Sequence, residues 1–206
     1  MTSFDPKTTA IVAVHFQNDV VGPDGAFAGF FRAEVERTGV LATAARLLDA
    51  ARAAGAAVVH TRVAFRPGSA DLDANSPLLG MVAQTGCLAE GSPGAAVTDE
   101  LAPRDGDRVV THHRVGGFQG SELDAVLRAA GVDTVVFCGV ATNASVEGTA
   151  RVASDLGYRT VVVSDACSAG SPEAHEASLA SLGLLAEVVS TDELLAGLTA
   201  GAGVGA

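Results

Sequence analysis

Positive charge is scarce in this chain. Its 206 residues include 13 lysines and arginines against 24 aspartates and glutamates, for a formal net charge of −11, and Lys7 is the only lysine. No run of basic residues occurs, so nucleic acid and anionic membranes are unfavourable partners. Apolar runs of roughly eighteen residues, long enough to span a bilayer, are missing, as is a basic-then-apolar leader. We expect a cytoplasmic protein that acts on a small-molecule substrate and binds neither nucleic acid nor membrane.

Cysteine is sparse as well. The spacing of Cys87, Cys138 and Cys167 matches no metal-binding pattern, and an odd number leaves at least one free thiol. Cys138 lies within an apolar run and Cys167 just after another, so both are expected to be small core residues. Cys87, in a glycine-rich segment, receives no role. The cysteines therefore indicate neither a metal site nor a set of disulfides.

What the chain does have is an alternation of strand-like and helix-like segments, typical of an α/β fold with a parallel sheet and helices on both faces. With 206 residues, 48% of them hydrophobic, one domain spanning residues 1–206 is expected. The predicted strands are residues 9–15, 56–63, 108–113, 134–138, 160–163 and 187–189. The predicted helices are residues 33–54, 121–130, 143–156, 172–182 and 191–198, followed by a flexible tail over residues 199–206.

Glycine and proline divide these segments. Gly55, Gly131 and Gly157 stand where glycines end helices by adopting a left-handed backbone. Residues 66–103 are rich in glycine, proline and serine, with only short apolar stretches. We interpret them as a long excursion that covers the active-site end of the sheet.

One segment indicates chemistry. Residues 137–151, FCGVATNASVEGTAR, read as the end of a strand, a tight turn and the start of a helix. This arrangement places the turn at the carboxyl end of the sheet, where open α/β folds bind ligands. The segment resembles the nucleophile motif of the isochorismatase-like hydrolases, also called the cysteine hydrolase family. Ser145 stands at the position that the family usually gives to its nucleophilic cysteine.

Two further segments extend the resemblance over most of the chain. Residues 9–21, TAIVAVHFQNDVV, resemble the family's first strand and turn, with His15 where the family has a catalytic aspartate. Residues 109–123, VVTHHRVGGFQGSEL, resemble its third-strand motif, with His112 at the catalytic lysine. The family triad of Asp, Lys and Cys therefore reads His15, His112 and Ser145 here.

The resemblance also implies structural features. It implies a three-layer α/β/α domain with six parallel strands in the order 3-2-1-4-5-6. It implies a non-proline cis peptide bond between Val140 and Ala141, and backbone N–H groups of Ala141 and Ser145 aimed at a developing oxyanion. Side chains that follow the first and third strands are expected to line the substrate pocket; these are Phe16, Gln17 and Phe118.

The three substitutions fit serine–histidine chemistry. Serine is far less acidic than cysteine and needs an adjacent base, and neutral imidazole, with an unperturbed pKa near 6.5, serves well. His112 and His113 are consecutive in a strand, so only one of them faces the site. We expect His112 to be the one that faces the site, take either His112 or His15 as the base, and expect activity to rise around pH 6 to 7 as imidazole deprotonates. Asp19 and Glu147 are candidates for an orienting carboxylate.

Other readings remain open. The metal-binding nicotinamidase branch of the family has an Asp-x-His after the second strand, where this chain has Val63 and Phe65, so we predict no metal and no cofactor. His60 and His175 match no motif and are taken as structural or surface residues. Isochorismatase-type hydrolysis of an enol ether, with His15 as acid and no covalent intermediate, is one alternative activity. A catalytically silent relative that binds a small ligand is the other.

Assembly is the first testable expectation. Members of the family that the chain resembles are commonly homo-oligomers, and the mean hydropathy of +0.33 is high for a soluble monomer of this size. Apolar surface beyond what one core absorbs tends to be buried between subunits. We therefore predict a dimer or a larger symmetric assembly. Light scattering at micromolar concentration measures the mass, and a monomer mass would contradict this prediction.

Overall fold

A computed structural model describes the backbone of residues 3–202 and the side chains of residues 3–198 except residue 69. Its centre is one sheet of six parallel strands in the order β3-β2-β1-β4-β5-β6, which confirms the predicted fold and strand order. The strands are β1 (Thr9–Val14), β2 (Ala57–Val63), β3 (Arg108–His112), β4 (Thr134–Val140), β5 (Arg159–Ser168) and β6 (Glu187–Val189).

Eight α-helices accompany the sheet within the described backbone. They are α1 (Asn18–Val21), α2 (Ala28–Thr38), α3 (Val40–Ala54), α4 (Pro77–Thr85), α5 (Leu123–Ala129), α6 (Glu147–Asp155), α7 (Pro172–Leu182) and α8 (Thr191–Ala202). Between residues 3 and 202, no helix combines the length and the hydrophobicity needed to cross a bilayer.

The core forms two layers, one on each face of the sheet. Strand β1 is buried along its whole length because alternate side chains enter opposite layers: Ile11 and Ala13 pack into one, and Ala10, Val12 and Val14 into the other. Helices α2, α3, α4 and α8 cover the first layer, and α5, α6 and α7 cover the second. A strand buried on both faces reads as a continuous apolar run, which is why the sequence located it.

Three helix predictions need correction. The helix predicted over residues 33–54 is two helices, because Gly39 adopts a left-handed backbone with φ of 64° and separates α2 from α3. The helix predicted from residue 143 begins with a π-helical turn, Thr142–Val146, before α6. The predicted tail is helical up to Ala202, and its remaining residues, 203–206, lie outside the described part of the chain.

The carboxyl edge of the sheet is shaped by a close approach of β4 to β1. Gly139 lies opposite Val14 with φ of 148°, and a Cβ atom on Gly139 would lie 2.3 Å from the Val14 carbonyl oxygen. Only glycine fits such a contact. The peptide bond between Val140 and Ala141 is cis, as predicted. The π-helical turn, Thr142–Val146, then follows β4 after Ala141.

Candidate functional site

His15 begins the site at the end of β1. Its backbone is left-handed, with φ of 55°, which is uncommon for a residue other than glycine and clusters at functional sites. The His15 N–H donates to the carbonyl oxygen of Thr61 in β2 at 3.0 Å, so the neighbouring strand holds this backbone in place. The side chain is 5% exposed and turns over the end of the sheet.

His15 meets His112, the last residue of β3, across the end of β2. The two Nε2 atoms are 2.9 Å apart, and the ring centroids are 4.9 Å apart. His112 Nδ1 lies 2.8 Å from the carbonyl oxygen of Arg114. A carbonyl oxygen only accepts, so His112 carries its proton on Nδ1 and offers the lone pair of Nε2. His15 must therefore donate from Nε2, which leaves His15 Nδ1 as an acceptor.

Burial keeps this pair neutral. It lowers the pKa of His15 well below the usual 6.5, and the proximity of His112 lowers it further. Burial also lowers the pKa of His112 to about 4, although the hydrogen bond to Arg114 acts in the opposite direction. Both rings are thus uncharged at neutral pH, which agrees with a single hydrogen bond donated by His15 Nε2 to His112 Nε2. A neutral imidazole can accept a proton from a nucleophile.

Ser145 lies in the π-helical turn that follows β4. Its carbonyl oxygen accepts from the Thr149 hydroxyl at 2.5 Å, and Thr149 Oγ1 accepts from the Gly117 N–H at 3.0 Å. These bonds tie the turn to the loop after β3. Within residues 3–198, the Ser145 hydroxyl has no hydrogen-bond partner, so it is available to a ligand.

Helix α7 holds the other side of the same turn. Thr142 Oγ1 lies 2.8 Å from His175 Nδ1, and the Ser178 hydroxyl lies within hydrogen-bond distance of both the Thr142 carbonyl oxygen and Glu147 Oε2. His175, taken from the sequence as structural or surface, therefore helps to position the turn. The sequence contains no signal for this contact because residues 142 and 175 meet only through the packing of α7.

A cavity of about 60 Å³ opens above these residues, with room for a few water molecules or a small ligand group. His15, Gln17, Ala141 and Ser145 all line it. Its other walls are largely apolar and include Val20, Phe27, Phe31, Leu78, Leu79 and Val82. The last three belong to α4, so the excursion over residues 66–103 covers the site, as predicted, with a helix that the sequence analysis missed.

The structure brings some of the predicted site residues together and separates others. His15 and Ser145 share the cavity, whereas His112 is fully buried behind His15 and does not line it. The ring of Phe16 is buried in the first core layer. Phe118 packs against Tyr158 in the second core layer, with ring centroids 6.3 Å apart. Phe16 and Phe118 therefore act in packing and are not part of the cavity wall, contrary to the expectation.

Gln17 lines the cavity, but its amide is occupied. Its Nε2 donates to the carbonyl oxygens of Val63 and Ala95 at 2.8 and 2.9 Å, and its Oε1 accepts from the Val63 N–H at 2.8 Å. The side chain is completely buried. Gln17 thus connects the end of β2 to the loop that crosses the site, and both of its N–H donors are already used.

Replacing Gln17 should therefore destabilise the fold. Gln17→Met removes three buried hydrogen bonds, and each backbone group left without a partner costs about 1–3 kcal/mol. We expect the free energy of unfolding in urea to fall by roughly 3 kcal/mol or more. Asn18→Ala is the control, because it removes only one exposed hydrogen bond, to the Pro93 carbonyl oxygen. Equal effects of the two substitutions would contradict this role of Gln17.

Neither candidate carboxylate orients the histidines. Asp19 Oδ2 accepts from the Leu88 N–H at 2.7 Å, which holds the covering loop. Glu147 pairs with Arg151 at 2.9 Å and accepts from Ser178. His112 takes the orienting position beside His15, and a backbone carbonyl orients His112 in turn. His60 is bonded to Asp107 at 3.3 Å, away from the cavity, as expected of a structural residue.

None of the three cysteines lines the cavity. Cys138 and Cys167 are buried in the core, as predicted, and burial raises the pKa of both thiols, that of Cys167 to about 12. Cys87 is half-buried and its pKa is also raised, chiefly by burial. A thiol with a raised pKa is a poor nucleophile at neutral pH. Among the described residues, no group of three or more His, Cys, Asp or Glu side chains could hold a metal ion.

Comparison with known proteins agrees with this architecture. The isochorismatase domain matches residues 9–193. A ureidoacrylate amidohydrolase, RutB of Methylobacterium radiotolerans, is 39% identical over 196 residues, covering 87% of this chain and 75% of the relative. The isochorismatase family protein YwoC of Bacillus subtilis, itself uncharacterized, is 35% identical over 178 residues, or 86% of each chain.

Solved structures share the fold. A cysteine hydrolase from Pseudomonas syringae pv. phaseolicola superposes with a TM-score of 0.88 at 29% identity and covers 98% of this chain and 97% of its own. N-carbamoylsarcosine amidase from Thermoplasma acidophilum gives a TM-score of 0.72 at 29% identity, over 90% of this chain and 97% of its own. The sheet order and these matches lead to one conclusion: the chain belongs to the isochorismatase family of hydrolases.

Proposed function

We propose that this protein hydrolyses a small amide or ester, with Ser145 as nucleophile and His15 as general base. The observation that carries the proposal is the hydrogen-bonded pair of His15 and His112, whose proton positions leave His15 Nδ1 as an acceptor beside the cavity that Ser145 also lines. Two relatives, named ureidoacrylate amidohydrolase and N-carbamoylsarcosine amidase, support an amide as the bond that is cleaved.

The reaction follows from the proton positions. Ser145 Oγ attacks the substrate carbonyl carbon while His15 Nδ1 takes the hydroxyl proton. The developing oxyanion is expected to bind N–H groups of the turn, with Ala141 and Ser145 as the candidates that line the cavity. His15 then returns the proton to the leaving amine or alcohol. Water then attacks the acyl-serine while His15 accepts its proton. The bond from the acyl carbon to Ser145 Oγ breaks, His15 returns the proton to Oγ, and the acid product is released.

His112 has a distinct part in this scheme. A His15 ring that gains a proton becomes a cation in a buried site, which is unfavourable unless a partner stabilises it. The Nε2 lone pair of His112 accepts from His15 Nε2–H at 2.9 Å and strengthens this bond when the charge forms. His112 is thus a positioning residue, and the structure favours His15 over His112 as the base.

The lowered pKa of His15 separates this proposal from enol-ether hydrolysis. Protonation of an enol ether requires a charged His15, which burial disfavours. Transfer from serine requires a neutral His15, which burial favours. The lowered pKa of His15 therefore favours acyl transfer over enol-ether hydrolysis.

A pH–rate profile tests the proposal and revises the expectation from the sequence. Because burial lowers the pKa of His15, kcat/KM on small amides and esters should fall only at a pH well below that at which a free imidazole is protonated. The profile would be measured from about pH 4 to 9, with isochorismate as the enol-ether control. A rate that falls as the pH rises from 5 to 7 would indicate acid catalysis by His15. No turnover of any substrate by the folded protein would favour the silent relative.

A further inference from the structure

The sheet has an open edge at β3. This strand pairs with β2 alone, and within the described residues its outer side pairs with no other strand. β3 contains no lysine, no proline and no bulge in its register with β2, which are features that commonly protect an edge strand. Val109 within it is 41% exposed. The free backbone N–H and C=O groups of this edge can therefore pair with a further strand.

A groove of about 630 Å³ lies beside this edge, between β3 and α5. Small or apolar side chains that reach solvent, fully or in part, lie along it; they are Val109, Ala125, Val126, Ala129 and Ala130. The alanines allow another chain to approach α5 closely. Exposed apolar surface with few charges is typical of protein–protein contacts. The groove is therefore a candidate docking surface.

Two unpaired charges lie at opposite ends of the groove. Arg108 begins β3 at the amino end, and Glu122 precedes α5 at the carboxyl end, because α5 returns the chain from β3 to the parallel strand β4. Both are exposed. Every other arginine forms an ion pair, whereas Arg108 and Glu122 form none among the described side chains. Asp107, which also lines the groove, is neutralised by Arg52 at 2.6 Å.

We propose that a second copy of this chain docks on this face about a two-fold axis beside Val110, with its β3 antiparallel to β3 of the first copy. The two-fold brings the amino end of one groove to the carboxyl end of the other, so that Arg108 contacts Glu122 of the partner subunit and the pair forms twice. In a chain of net charge −11, most self-contacts would oppose like charges, but this one brings opposite charges together. The inference concerns assembly and stands apart from the proposed reaction.

Reversing either charge tests the contact. The wild type should have at least twice the chain mass of 20.5 kDa at micromolar concentration in analytical ultracentrifugation. Arg108→Glu and Glu122→Arg should each halve the mass of the assembly, because like charges then face each other at both symmetric positions. We expect the dissociation constant to rise by roughly a hundredfold or more in each variant.

Mixing the two variants distinguishes a direct contact from a general loss of stability. An equimolar mixture of Arg108→Glu and Glu122→Arg should recover the mass of the wild-type assembly, because the acidic ends of one variant then face the basic ends of the other. Native mass spectrometry identifies the mixed dimer, since the two variants differ in mass. A variant that dissociated only because it was destabilised would not be rescued in this way.

Controls use charges on other faces. Arg46→Glu and Asp155→Arg reverse exposed charges that do not line the groove, and both should leave the mass unchanged. Leu184→Glu tests the opposite edge of the sheet, because Leu184 is 85% exposed between α7 and β6.

Three results would overturn the proposal. The first is a monomeric wild type, which would leave this face to a different partner. The second is an unchanged mass in the folded Arg108→Glu and Glu122→Arg variants, above all if Leu184→Glu alone halves it. The third is dissociation of both variants without recovery in the mixture, which would exclude the two-fold contact between Arg108 and Glu122 of the partner subunit.

Discussion

Ser145→Ala is expected to lower kcat by roughly 10³- to 10⁶-fold on any amide or ester that the protein hydrolyses. Without the hydroxyl, no acyl-enzyme forms, and only binding and the turn's N–H groups remain to assist direct attack by water. Because the Ser145 hydroxyl has no hydrogen-bond partner among the described side chains, its removal should leave the melting temperature almost unchanged.

A neighbouring residue supplies the control for this substitution. Asn143 lies in the same turn and is exposed, so Asn143→Ala should leave kcat within a few-fold. Steady-state kinetics with both variants, each checked for folding by circular dichroism, make the comparison. Activity that survives in Ser145→Ala would assign the reaction to a mechanism without a covalent serine intermediate.

His15→Gln should lower kcat/KM by roughly 10²- to 10⁴-fold, the usual contribution of a general base. Glutamine retains a polar side chain beside His112 but cannot take a proton from serine. The acid limb of the pH–rate profile should disappear in the same variant, because the group that titrates is gone. Both the rate and the shape of the profile therefore report on this residue.

Substitutions of His112 and His113 test whether His15 is the general base and His112 only orients it. His112→Gln should cost less than His15→Gln, since it removes only the partner that orients and stabilises the ring. His113→Gln should have little effect, because His113 lies one residue beyond β3, with a side chain that is 42% exposed and 3.5 Å from Asp71. A larger loss in His112→Gln than in His15→Gln would instead make His112 the base.

The sequence was sufficient for the central strands β1 and β4 because they are buried on both faces. The continuous apolar runs located β1 and β4, and the motif around Ser145 located the cis bond and the turn at the end of β4. The break at Gly39 was missed because residues 33–54 read as one helical pattern. Helix α4 was missed because its flanks are rich in glycine, proline and serine.

The arrangement of the site depends on contacts that no local pattern encodes. His15 reaches His112 only because β3, β2 and β1 are adjacent and because the His15 backbone is left-handed. The proton positions follow from the hydrogen bond between His112 Nδ1 and the carbonyl oxygen of Arg114. Gln17 lines the cavity as the motif indicated, yet its amide forms hydrogen bonds with backbone groups of Val63 and Ala95. These features became visible only in three dimensions.

The most direct measurement is covalent labelling of the nucleophile. The protein would be incubated with a small serine-directed phosphonofluoridate, and intact-protein and peptide mass spectrometry would locate the adduct. We predict one adduct, on Ser145, that is absent in Ser145→Ala and forms much more slowly in His15→Gln. Hydrolysis of amides or esters with no adduct on Ser145, or an adduct that forms equally fast without His15, would contradict the assignment of nucleophile and base.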